Sequence, residues 1–327
     1  MDDLIEKIIS KKVSLAPMAG ITDIVLRGLV REHSKDCLIT TEMISSEGLN
    51  NVNNCSIIKK SAEDSPIAFQ ISGHKPELMA RAAKFLENRS DMIDINMGCP
   101  VKKVVCGGDG SALMKTPELA QDIVKAVKEA VNIPVSVKFR LGYTAETMNY
   151  VKFGEMMQEA GADFITIHAR TRAQMYSGQA DWEKIKYLKH SVDIPVFANG
   201  DVTSIESAEK CLELSHADGV AIGRGVLGDV TLPYRIEQFL TNGIRIKEPD
   251  FDEKIDTLTR HLENEISHRG VDVGIKCIRK LYGYYISGVR NAAKYRAELV
   301  RIDDYGEMLR ALSRIRKEVK SQSEVLQ

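Results

Sequence analysis

Eight short apolar runs alternate with longer amphipathic stretches, and no other feature of the chain narrows its fold as much. The runs are Val13–Ala16, Cys37–Thr41, Pro66–Gln70, Met92–Asn96, Pro134–Lys138, Phe164–His168, Pro195–Ala198 and Gly219–Ile222. Each is bounded by turn residues and reads as a buried strand. The segments between most of them are helix-like. Thr116 suits an N-cap, Pro117 suits the first helical position, and Leu119, Ile123, Ala126, Val127 and Ala130 form one stripe. Strand and helix in repeated alternation predict a (β/α)8 TIM barrel, with an open doubly wound sheet as the competing architecture. The Asn-rich stretch from Ser45 to Ser65 suits the pattern least.

An internal echo favours the barrel. Val131-Asn132-Ile133-Pro134-Val135 resembles Val192-Asp193-Ile194-Pro195-Val196. Each precedes a helix and then an Ala-Asp pair (Ala162-Asp163 and Ala217-Asp218), as repeated strand–helix–strand units would. Asn242 to Pro249 reads as a linker, and from Asp252 the pattern is helical to about Lys320. The expected division is a barrel over 1–241 and a C-terminal helical domain over 250–327.

The net charge of −1 offers no whole-chain attraction for an acidic partner, so any basic surface must be local. One candidate is Ser267 to Arg301. It carries Arg279, Lys280, Arg290, Lys294 and Arg296 among its cations, with Tyr282, Tyr284, Tyr285 and Tyr295 interleaved. It reads either as a solvated helical surface with core tyrosines or as a phosphate-binding face. No run of apolar residues is long enough to span a bilayer, and the N-terminus has no signal-peptide core. The cytoplasm is the expected location, with no membrane partner. The six cysteines form no Cys-x-x-Cys pair and no zinc-like spacing with His, so reduced thiols and no metal are expected. Cys37, Cys211 and Cys277 are expected to be small buried residues. Oligomeric state is not legible.

Barrel active sites lie at the C-terminal ends of the strands. The residues there are Pro17-Met18-Ala19-Gly20, Glu42, Gln70, Asn96 with Cys99, Lys138 with Arg140, His168 with Arg170 and Arg172, Asn199-Gly200-Asp201, and Gly223-Arg224. Glycines after the last two strands let backbone N–H groups approach a phosphate, and Arg224 adds a charged donor. Lys138 ends an apolar strand, where a cation needs either solvent or a partner; the edge of a flavin ring is one such partner.

Taken together, Leu15-Ala-Pro-Met-Ala-Gly-Ile-Thr-Asp23, Asp94-Ile-Asn-Met-Gly-Cys-Pro100, Gly110-Ser-Ala-Leu-Met114, Thr166-Ile-His-Ala-Arg-Thr-Arg172, Asn199-Gly-Asp201 and Ile222-Gly-Arg224 resemble the tRNA-dihydrouridine synthases, most closely their bacterial B-type branch. Tyr285 to Arg296 resembles the helical tRNA-binding domain of that family.

The resemblance implies an FMN enzyme that reduces uridine in tRNA. NADPH would reduce the flavin, which would pass a hydride to uracil C6, while Cys99 delivers a proton to C5 as general acid. FMN would be held by Pro17, Met18, Ala19, Gln70, Lys138, His168, Asn199, Gly200, Asp201, Gly223 and Arg224. Asn96 and Arg140 would face the uracil, and Arg170 and Arg172 would touch RNA, with Arg279, Lys280, Arg290, Lys294 and Arg296 gripping the tRNA body. A uridine in folded tRNA must be turned out of its stack to reach a barrel mouth. Two positions in the loop after Cys99 are unexpected: Cys106, read as an inert thiol, and Asp109, which adds negative charge near RNA. A small-molecule pyrimidine (dihydroorotate-type) dehydrogenase and a non-catalytic tRNA-binding protein are the alternative functions. The basic C-terminal segment opposes the first, and the intact strand ends oppose the second.

Overall fold

The computed structural model describes residues 2–49, 58–61 and 63–324; Cys55 and much of the Asn-rich stretch lie outside them. Contacts divide the chain into two compact units. One comprises residues up to Arg224 with Pro233–Arg245, and the other comprises Gly225–Leu232 with the residues from Ile246 onward. The short segment Gly225–Leu232, read from sequence with the barrel, groups with the helices of the second unit.

The first unit is a closed barrel of parallel strands. These are β1 (Val13–Leu15), β2 (Leu38–Thr40), β3 (Ile67–Ser72), β4 (Met92–Met97), β5 (Val135–Arg140), β6 (Phe164–His168), β7 (Val196–Asn199) and β8 (Gly219–Ile222). β1 pairs with β8, and β2 pairs with both β1 and β3, so the ring has no open edge and the doubly wound alternative is excluded. A two-residue strand, Ile44–Ser45, lies beside the end of β3.

The barrel interior changes character along its axis. Leu38, Ala68, Met92, Phe164, Phe197 and Ala221 form one buried cluster, with the Phe164 and Phe197 rings edge to face at 4.9 Å. The helix Asp2–Lys11 adds Ile8 to this cluster and packs Leu4 and Ile5 against it, closing that end to water. Toward the C-terminal ends the residues in register turn polar: Gln70 beside Asp94 beside Ser136, Asn96 beside Lys138 beside Thr166, and Arg140 beside His168 beside Asn199.

The sequence echo has a physical counterpart. Asp163 gives its backbone N–H to Val135 O and takes the Val135 N–H on its carboxylate, both at 2.8 Å. Asp218 does the same with Val196 (2.9 and 2.7 Å), and Asp91 with Ile67 (2.9 and 2.8 Å). An aspartate ahead of each even strand from β4 onward thus satisfies the first free N–H of the strand before it.

The second unit is helical, with Phe251–Arg269, Val271–Ile278, Ala292–Leu299 and Tyr305–Glu324 as its longer helices. Asp250 and Glu253 form a capping box at its start. A Cβ on Gly274 would lie 2.6 Å from Ile266 N, so only glycine lets the first two helices approach this closely. Tyr282, Tyr285 and Tyr295 are buried, as are Leu258, Ile278 and Leu299, while Tyr284 is exposed. Three of the four interleaved tyrosines are therefore core. No helix among the described residues is long and apolar enough to cross a membrane.

Candidate active site

A hydrogen-bonded chain runs across three strands to Cys99. The Ser136 hydroxyl donates to Asp94 Oδ1 (2.6 Å), and Gln70 Nε2 donates to Asp94 Oδ2 (2.6 Å). Asn96 Nδ2 donates to Gln70 Oε1 (2.8 Å), and Asn96 Oδ1 accepts the backbone N–H groups of Gly98 (3.2 Å) and Cys99 (2.9 Å). Both ends dictate one polarity: an ionised carboxylate only accepts, and a backbone N–H only donates. Gln70 and Asn96 each keep one amide hydrogen for a ligand. Burial raises Asp94 to about 6, against the hydrogen bonds from Ser136 and Gln70 that favour its anion.

Cys99 follows β4 and is half-buried. Its carbonyl accepts from Ser111 twice, from the backbone N–H at 3.1 Å and the hydroxyl at 2.9 Å. The thiol is thus held through its backbone on both sides, by Asn96 and by Ser111. Cys106 is exposed, Cys37 and Cys211 are buried, and Cys277 is half-buried.

Lys138 and Arg140 lie inside β5, which runs two residues past the apolar run. Lys138 Nζ donates to Asn199 Oδ1 at 3.1 Å, and Asn199 Nδ2 donates to Ala221 O at 2.7 Å. No carboxylate pairs with Lys138 among the described residues. Burial, then the Arg140 cation, lowers it to about 8. Arg140 is buried and ties the mouth together, with Nε to Gly98 O (2.8 Å) and Nη1 to Thr171 O (3.0 Å) and Met175 O (2.8 Å). Burial brings it down to about 10. Burial, then the surrounding Arg140, Lys138, Arg170 and Arg224 cations, holds His168 well below its ordinary value, so its ring is neutral near pH 7.

Two expectations change on the structure. Arg170 was expected to touch RNA, yet it is 1 % exposed. Its guanidinium holds Ser177 O (3.1 Å), Gly178 O (2.7 Å) and Asp201 Oδ2 (2.5 Å) and faces His168 Nε2 (3.4 Å), so it braces the loop after β6. Asp201 was expected among the residues that hold FMN. Its carboxylate instead accepts from Arg170 and from Ala180 N (2.8 Å), with Arg224 at 3.5 Å, and it shapes that same loop. Arg172 is half-buried, 5.2 Å from the Tyr143 ring, which Lys115 also approaches at 4.9 Å.

The remaining strand-end residues leave room for a ligand. A Cβ on Gly223 would meet nothing nearer than Asn199 Nδ2 at 3.9 Å. Gly200 has φ +116°, and a Cβ there would lie 3.0 Å from His168 Cδ2. Pro17, Met18 and Ala19 enter a turn in which Met18 O accepts from Ile21 and Thr22 (both 3.0 Å), and Glu42 accepts the Gly20 N–H at 2.5 Å. Sequence reading missed Tyr176, which is half exposed; its ring lies 5.3 Å from Arg224, 5.5 Å from Arg140 and 6.3 Å from His168. Its one available signal was an aromatic in the loop after strand 6.

In the second unit, Arg279 donates to Asp303 Oδ1 (2.5 Å) and Arg296 to Ile286 O (2.9 Å), so both are partly engaged within the fold. Lys280, Arg290 and Lys294 are exposed.

A closed barrel with a thiol, a half-buried amine and amides gathered at the strand ends defines a barrel enzyme. Residues 14–322 match the family model described as dihydrouridine synthase. A probable tRNA-dihydrouridine synthase of Rickettsia conorii is 40% identical over 301 residues, covering 90% of each chain. The tRNA-dihydrouridine synthase B of Pseudomonas aeruginosa is 35% identical over 295 residues, covering 90% of this chain and 89% of that one. Among solved structures, a variant of NCR from Zymomonas mobilis superposes with a TM-score of 0.50 at 14% identity, over 74% of this chain and 90% of that one, a likeness of fold alone. The chain belongs to the dihydrouridine synthase family, whose members are flavin-dependent oxidoreductases acting on tRNA.

Proposed function

We propose that this protein reduces uridine in tRNA to 5,6-dihydrouridine, with FMN at the barrel mouth and NADPH as reductant. The carrying observation is Lys138, a half-buried amine in a ring of polar strand ends that donates to Asn199 and pairs with no carboxylate among the described residues. An anionic ring edge would offset its desolvation, and the N1–O2 edge of a reduced flavin is such an anion. Gln70 offers its free amide hydrogen to the same ring, and neutral His168 adds no further charge. The open space at Gly223, the close backbone at Gly200 and the half-exposed Arg224 suit the phosphate end. When bound, the reduced cofactor supplies the hydride that uracil C6 accepts.

The protein's own part is placement and proton delivery. Asn96 and Arg140 orient the base, which conjugates C5=C6 with the C4 carbonyl. Cys99 gives its thiol proton to C5. Arg290 and Lys294, with Lys280, contact phosphates of the tRNA body and help hold it while the uridine is turned out. The cleanest test is the mass of nucleosides from unmodified tRNA incubated with protein, FMN and NADPH. A gain of two hydrogens on uridine supports the reading, and bound flavin without that gain returns weight to a small-molecule substrate.

A further inference from the structure

Three of the four residues Gly107-Gly108-Asp109-Gly110 are glycine. Such a segment loses much conformational entropy on ordering and has few side chains to hold it. Gly108 and Gly110 take φ of +91° and +59° on either side of Asp109. Yet this segment touches the thiol's own backbone. A Cβ on Gly110 would lie 2.9 Å from Cys99 O and 3.0 Å from Cys99 Cβ, and Ser111 next to it makes both hydrogen bonds to Cys99 O.

The one side chain that can anchor the segment is that of Asp109, and it finds His74. His74 Nδ1 lies 2.7 Å from Asp109 Oδ1, and a Cβ on Gly108 would rest 3.4 Å from His74 Cγ. His74 stands on firm ground. It follows β3 and precedes the helix Pro76–Leu86, next to Gly73, where a Cβ would lie 2.2 Å from Ser46 Oγ and 2.9 Å from Met79 Sδ. The tightly packed turn after β3 is thereby tied, from the neighbouring strand end, to the glycine-rich segment behind Cys99.

We propose that His74 and Asp109 form a latch that fixes the backbone of Cys99, and that both are positioning residues for proton delivery by its thiol. This rests on the reading of Cys99 as general acid. It gives the unexpected Asp109 a purpose unrelated to RNA.

The test compares His74→Ala, His74→Asn, His74→Gln and Asp109→Ala. The rate at which iodoacetamide alkylates Cys99 is read on its own peptide, alongside kcat and KM for dihydrouridine formation. Opening the latch should raise alkylation about fivefold as the segment loosens. It should lower kcat about tenfold, because misplacement of a reacting group is costly, and leave KM for tRNA within about twofold. Asn can place its amide N–H where Nδ1 stands and should restore both rates; Gln reaches too far and should not. The side chains are partly exposed at 35 % and 22 %, so the variants should fold. Unchanged alkylation in His74→Ala, equal behaviour of the Asn and Gln variants, or a change confined to KM overturns the proposal. Alkylation needs no turnover, so the latch stands or falls separately from the thiol's catalytic role, which Cys99→Ala tests.

Discussion

The barrel mouth and the basic stretch Ser267–Arg301 are both rich in polar groups, but they use them differently. At the mouth, Gln70, Asp94, Asn96 and Ser136 are buried and almost fully hydrogen-bonded to one another, and the amine of Lys138 makes no ion pair with a carboxylate among the described residues. In the basic stretch three of the four tyrosines have gone into the core, Arg279 and Arg296 serve partly within the fold, and Lys280, Arg290 and Lys294 are exposed. A buried polar group must have a defined partner, so the first region is built for chemistry at fixed positions. An exposed cation acts mainly through its charge, so the second is built for phosphate attraction that depends on salt.

The largest effect is expected at Lys138. Lys138→Met should slow uridine reduction by about 10²-fold, as loss of a preorganised charge does elsewhere. With flavin removed, the same variant should be more stable at pH 7 by about 1–2 kcal/mol, because the desolvation of the Lys138 amine, which Asp94 only partly offsets, is gone. The sign follows from the lowered value. Between about 8 and the ordinary 10.5 the unfolded chain holds more protons than the native one, so the parent gains stability as pH rises through that window. The advantage of Lys138→Met should be full below pH 8 and fade toward the upper end of the window. Urea unfolding at several pH values checks it, and a variant less stable than the parent at pH 7 would mean that Lys138 is already compensated.

A weaker effect should follow from Arg290→Ala with Lys294→Ala. Binding of tRNA should weaken about tenfold near physiological salt, and the salt slope should shrink by roughly 1–2. Flavin retention should not change. Equal slopes in parent and variant would remove these two residues from the RNA face. The smallest effect is expected for Tyr285→Phe. The Tyr285 hydroxyl lies 3.0 Å from His261 Nδ1, and its loss should cost about 1 kcal/mol of stability with tRNA affinity unchanged. A large loss of affinity in a variant of normal stability would restore that tyrosine as an RNA contact.

All eight barrel strands were legible from apolar runs, since burial selects the same residue types wherever a parallel strand lies. The run read for β5 ends at Lys138, two residues short of the strand, because the strand finishes in Arg140 at the polar mouth, where the usual patterning gives way to function. Asp94 was hidden for the opposite reason: it is a charged residue inside an apolar run, and only the neighbouring strands show that Ser136 and Gln70 satisfy it. Strand-end position brought Cys99, Lys138, His168 and Asn199 to one mouth. It did not tell an arginine aimed at a ligand from one spent on its own loop, as Arg170 is, because that depends on carbonyls up to eight residues away. The partner of Asp109 lies 35 residues earlier and has no local signature.

On this reading Cys99 supplies the proton in a flavin-dependent reduction of tRNA uridine. Nucleoside mass spectrometry on unmodified tRNA, with parent protein and Cys99→Ala side by side in FMN and NADPH, tests it most directly. Dihydrouridine is expected from the parent, with a loss of at least about 10²-fold in the variant, which still binds flavin and oxidises NADPH. Equal dihydrouridine yield and rate from both proteins would contradict it.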